Sequence, residues 1–79
     1  MAVDYQPSPR TRKVLAQLEA EIAANRTDMK SLAAKIGKPY TTFRRYVKGE
    51  RAMPADDLLD ALDGLGVDYA DFMRRAAER

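Results

Sequence analysis

Asp28-Met-Lys-Ser-Leu-Ala-Ala-Lys-Ile-Gly37-Lys-Pro-Tyr-Thr-Thr-Phe-Arg-Arg-Tyr-Val-Lys-Gly49 reads as two short helices joined by a tight turn. Met29, Leu32, Ala33 and Ile36 follow the i, i+3, i+4, i+7 spacing of a helix with one buried face. Gly37 ends that helix, because the residue after a helix often needs a left-handed backbone that only glycine adopts without steric cost. Pro39 fixes φ near the helical value and lacks an N–H that a first turn leaves unpaired. It also pushes Lys38 towards an extended conformation. A second helix is therefore expected at about residues 39–48, closed by Gly49.

The second helix has two faces. At about 100° per residue, Phe43, Tyr46 and Val47 fall on one side, and Tyr40, Thr41, Arg44, Arg45 and Lys48 on the other. An apolar back behind an outward row of Arg, Arg, Lys, Tyr and Thr suits the major groove of double-stranded DNA. That groove admits a helix, and Arg reads guanine through two hydrogen bonds. Lys38 before the helix and Arg51 after it complete the candidate DNA-binding set.

Working outward, Ser8-Pro9 is a helix start, a hydroxyl cap followed by proline at the first helical position. The first helix extends to about Asn25, with Val14, Leu15, Leu18 and Ile22 as its buried stripe. Arg10, Arg12 and Lys13 lie in its first turns and are expected in solvent. Residues 1–7 are expected to form a flexible arm, and residues 8–79 one domain. Thr27 or Asp28 caps the next helix. Pro54 starts a fourth, with Asp56 and Asp57 at the positive end of its dipole. Leu58, Leu59, Leu62 and Leu65 are its expected core face, and Gly64 and Gly66 close it. Asp68-x-x-Asp71 resembles a capping box opening a last helix, whose apolar face is Tyr69, Phe72, Met73 and Ala76.

The spacing of Leu32-Ala33, Ile36-Gly37, Phe43, Tyr46, Gly49, Leu58-Leu59, Leu62 and Leu65-Gly66-Val67 resembles the lambda-repressor/Cro type of helix-turn-helix domain, also called XRE-like. The resemblance covers roughly residues 14–75. It implies an all-α, compact five-helix lambda-repressor-like domain with its helix-turn-helix at about residues 28–49. It also implies that the helix after Pro39 is the recognition helix, and that Lys48 and Arg51 flank the DNA backbone. Met29 stands where the family usually carries a glutamine, Val47 where many members carry an acid, and Tyr40 where a small or amide side chain is common. Base preference therefore does not carry over. In some relatives the last helix forms a dimer contact, which points to Tyr69, Phe72 and Met73, with Arg74 and Arg75 at the rim.

The formal net charge of +2 conceals an uneven distribution. Residues 1–25 sum to zero, residues 26–51 to +6 and residues 52–79 to −4. Phosphate binding depends on local charge of this kind. The chain has 79 residues, no Cys and no His, which removes the usual zinc sites, histidine bases and cysteine nucleophiles. Gly64-Leu-Gly66 lacks the third glycine and the preceding strand of a phosphate loop. No enzyme activity, metal, cofactor or small-molecule ligand is expected. No apolar run approaches the ~20 residues of a membrane span, and the N-terminus lacks a secretion-signal layout. A cytoplasmic location follows as the expectation.

Two functions compete at this point. One is a small Cro-like transcriptional regulator, a repressor that occupies its operator as a homodimer formed in solution or only on the DNA. The other is a protein-interaction module, such as the antitoxin of a toxin–antitoxin pair.

Overall fold

The computed structural model describes residues 5–79, so the first four residues of the expected arm lie outside it. Five helices follow: α1 Pro9–Ala24, α2 Met29–Lys35, α3 Tyr40–Val47, α4 Ala55–Leu65 and α5 Tyr69–Ala77. No strand occurs among the described residues. The radius of gyration of 12.1 Å matches the ~12 Å of a single packed domain this long. No helix among the described residues is long and apolar enough to cross a membrane.

The caps set the boundaries. Ser8 Oγ accepts from Thr11 N, Asp28 Oδ1 from Ser31 N and Asp68 Oδ2 from Asp71 N. Each satisfies one of the orphan donors of a first turn. Four helices end alike, with a left-handed residue followed by an N–H that reaches back to a carbonyl five residues earlier. Lys38 N bonds Ala33 O after Gly37, Glu50 N bonds Arg45 O after Gly49, and Val67 N bonds Leu62 O after Gly66. Thr27 N bonds Ile22 O after Arg26, which adopts the left-handed region without being glycine, at φ 55°.

Leu18, Ile22, Leu32, Ala33, Phe43, Tyr46, Val47, Ala61, Leu62 and Phe72 form one core. It takes side chains from all five helices, so no helix is an appendage. The α2–α3 turn presents α3 across this core, where Phe43, Tyr46 and Val47 are buried. α1 packs against both α3 and α5, and α2 against α3 and α4.

Four expectations are corrected. Leu59 is exposed; Ala61 takes the core position, because the inward stripe of α4 runs 57, 58, 61, 62 and 65. Gly64 is not a terminator but lies within α4, where a Cβ would stand 3.2 Å from Leu32 Cδ1. Its missing side chain lets α2 and α4 approach, and only Gly66 caps the helix. Pro7 is buried and does not belong to a free arm; it packs on Gly49. Tyr69 does not join the core with the rest of the apolar face of α5 but is exposed, as the expected dimer contact requires.

Candidate nucleic-acid interface

α3 is anchored from behind and open in front. Phe43 is fully buried, Val47 and Tyr46 nearly so. Tyr40, Thr41, Arg44, Arg45 and Lys48 are all exposed. The expected two-faced helix is therefore present, and its outward side chains share one surface. Arg51 is exposed on the loop that follows. Gly49, at φ 77°, turns the chain so that Glu50 and Arg51 both donate backbone N–H bonds to Arg45 O. The loop thus folds back on the end of α3 and holds Arg51 beside it.

The seven candidate cations and hydroxyls differ in how free they are. Arg45 and Arg51 make no ion pair among the described residues. Arg44 Nη1 lies 3.9 Å from Glu50 Oε2, both exposed; such a pair is weak and exchangeable. Lys48 Nζ is 3.2 Å from Glu19 Oε1 on α1, again an exposed pair. Lys38 differs from the rest. Its Nζ lies 3.3 Å from Asp57 Oδ1, and the Asp57 side chain is only 8% exposed. Removing Lys38 would leave a buried carboxylate without its cation, a state proteins avoid at a cost of several kcal/mol. Lys38 thus bolts the turn to α4, which sets it apart from the exposed residues of α3. Lys35 is engaged too, its Nζ donating to Gly64 O at 2.7 Å, at the end of α4.

The proposed dimer contacts do not stay together. Tyr69 is half exposed, whereas Phe72 is fully buried in the core. Phe72 cannot meet a partner; it is corrected to a core residue. Met73 is partly buried and lines a groove between α1 and α5 with Pro9, Val14, Ala76 and Ala77. Arg74 pairs with Asp71 of its own helix. Arg75 donates to Glu21 Oε2 at 2.9 Å and Arg79 to Gln17 Oε1 at 2.8 Å. Gln17 and Glu21 are themselves joined at 2.7 Å. This part-buried network clamps the end of the chain's last helix to α1. Sequence reading missed it, although Gln17 and Glu21 (i, i+4) on the stripe of Leu18 and Ile22 were a visible signal.

Asp28 has a displaced titration. The N–H and hydroxyl of Ser31 hydrogen-bond its carboxylate and hold its pKa below the ordinary value. The cap is accordingly stronger when Asp28 is charged.

Comparison of the chain with protein-family models, with curated proteins and with solved structures returned no match.

Proposed function

We propose that the protein is a sequence-specific DNA-binding transcriptional regulator of the lambda-repressor/Cro type, acting in the cytoplasm as a small repressor. It inserts α3 into the major groove. The observation that carries this reading is the division of α3. Phe43, Tyr46 and Val47 fix the helix to the core, while Tyr40, Thr41, Arg44 and Arg45 project together from its other side. A rigid helix with two exposed guanidiniums in its outer row suits bidentate guanine recognition. Lys48 and Arg51, at the helix end and in the loop, are placed to bind phosphate and fix the register. One α3 reads few base pairs, so the reading includes two subunits on half-sites about one helical turn apart.

Selection of bound sequences from random duplex DNA tests this reading. It is followed by shift assays of the wild type and Arg45→Ala at two salt concentrations. The reading expects a defined motif, tight binding that weakens with salt, and loss of the preference in the variant. Absence of binding to any duplex at low salt would defeat it.

The competing reading, a protein-interaction module of the antitoxin kind, has one feature in its favour. The groove of Pro9, Val14, Met73, Ala76 and Ala77 is mainly apolar and lies away from α3. The charged outer row of α3 favours DNA over this alternative.

A further inference from the structure

A shallow cleft of about 200 Å³ separates α1 from the end of α3; its walls carry Arg12 and Glu19 from α1 and Lys48 from α3. Arg12 and Glu19 stand seven residues apart, two helical turns, and so share one face of α1. The floor is small and apolar: Pro7, Ala16 and Gly49 are among the residues that make it. A Cβ at Gly49 would stand 3.1 Å from Pro7 Cγ, a tight contact that Pro7 would have to relieve by a small shift. Gly49 and Pro7 thus pack closely in its floor, with two cations and one acid at its rim. Resting on the DNA-binding reading, we infer that this cleft is a backbone-phosphate site for duplex DNA. Arg12 and Lys48 are its two ligands, and Glu19 is the carboxylate that holds Lys48 until the phosphate arrives.

The two lysine pairs of the domain support this division. Lys38 faces a carboxylate that is 8% exposed, whereas the Glu19 carboxylate facing Lys48 is 44% exposed. Water reaches the second pair from its open side, so the pair contributes little to stability and exchanges readily. A phosphodiester is also an anion, and it can take the place of Glu19 at Lys48. Arg12 is exposed, and its side-chain hydrogen bond among the described residues is a long one of 3.5 Å to Gln6 Oε1. Its guanidinium is thus free to turn into the cleft and offer a forked pair of donors to phosphate. When the phosphate displaces Glu19, the released carboxylate is left in solvent beside the DNA. It then opposes binding by like-charge repulsion, independently of base sequence.

The test is the salt dependence of binding to a selected operator and to a scrambled duplex of equal length. Wild type, Arg12→Gln, Arg12→Lys, Glu19→Gln and Arg45→Ala are compared, and melting curves confirm that each variant is folded. Arg12→Gln is expected to reduce the magnitude of the slope of log K against log[salt] by about 0.9, the loss of one phosphate contact. It should weaken both duplexes by the same factor, and Arg12→Lys should restore most of the slope. Glu19→Gln is expected to tighten binding to both duplexes about two- to fivefold, the range of an exposed ion pair. Unchanged slope in Arg12→Gln, or unchanged affinity in Glu19→Gln, overturns the phosphate site. In either case a loss of operator preference in Arg45→Ala shows that the α3 reading survives. If the wild type binds neither duplex, both fall.

Discussion

The ammonium of Lys38 sits 3.3 Å from Oδ1 of Asp57, and the other oxygen of that carboxylate has no hydrogen-bond partner among the described residues. The pair ties the turn of the helix-turn-helix to the first turn of α4. It fixes where α3 begins relative to the rest of the core.

Lys38→Ala is therefore expected to lower stability by about 1–3 kcal/mol, less than for a fully enclosed pair because Lys38 itself is partly open to solvent. Chemical denaturation measures this loss. If Lys38 were instead a DNA contact, the variant would keep its stability and lose the salt slope of one phosphate. Asp57→Asn, which removes the buried charge without emptying the site, should cost less than Lys38→Ala.

The outer row of α3 should behave in the opposite way. Arg44→Ala and Arg45→Ala are expected to leave the melting temperature nearly unchanged, since both side chains are exposed. Each lost base contact should cost on the order of 1–3 kcal/mol on the operator and much less on a scrambled duplex. Wild-type discrimination in both variants would remove α3 from the role of recognition helix.

Gly37 and Gly49 share a left-handed backbone but not an environment. An added Cβ meets nothing within 4 Å at Gly37 and stands a tight 3.1 Å from Pro7 Cγ at Gly49. Gly37→Ala should cost about 1–2 kcal/mol from the backbone alone. Gly49→Ala should cost more, and Pro7→Ala should relieve the difference. Thermal melts of the two single variants and the double variant read this out; equal costs at both glycines would show that Pro7 does not constrain the loop.

Phe72→Ala should cost about 3–5 kcal/mol, as for a fully buried aromatic. That is comparable to the whole stability of many domains this small. It is thus unsuitable for testing subunit pairing. Tyr69→Ala, at an exposed site, should leave the fold intact and reduce cooperativity on a two-half-site operator. Binding isotherms and the stoichiometry of the complex decide this. One subunit per site would leave α5 with a purely intramolecular role.

Asp28 predicts a sign for acid sensitivity. Its pKa is depressed in the folded chain by hydrogen bonds from Ser31, so the charged cap stabilises above the unfolded value of about 3.9. That contribution fades as pH falls through the lower folded value. Asp28→Asn should therefore lose part of this acid-dependent term while keeping a cap. Parallel unfolding curves for the two proteins between neutral pH and the acid limb show whether it does.

Local chemistry was legible in the sequence. The starts at Ser8, Asp28 and Asp68 and the stops at Gly37, Gly49 and Gly66 depend on single residue types with one conformational purpose, and the helices fall close to the expected limits. The two-sidedness of α3 was legible for the same reason, since it needs only the helical period. Pairings between distant elements were not. Nothing local distinguishes Lys38 from Lys48, yet one meets a buried acid and the other an exposed one. Leu59 and Leu58 differ by a single step around α4, and only packing decides which is covered. Arg26 ends α1 in a conformation that its residue type does not announce.

The clamp between the first and last helices bears on how the chain comes to be folded. Glu21 and Arg75 are 54 residues apart, and Gln17 and Arg79 are 62. Closing so long a loop costs chain entropy before any contact rewards it. Phe72, which plugs the core, follows the other core-forming helices in chain order. During synthesis α3 is made well before the side chains that complete the support behind it. A nascent chain that has only reached α4 therefore has no finished core, and the outward face of α3 gains its full backing only once α5 has been made.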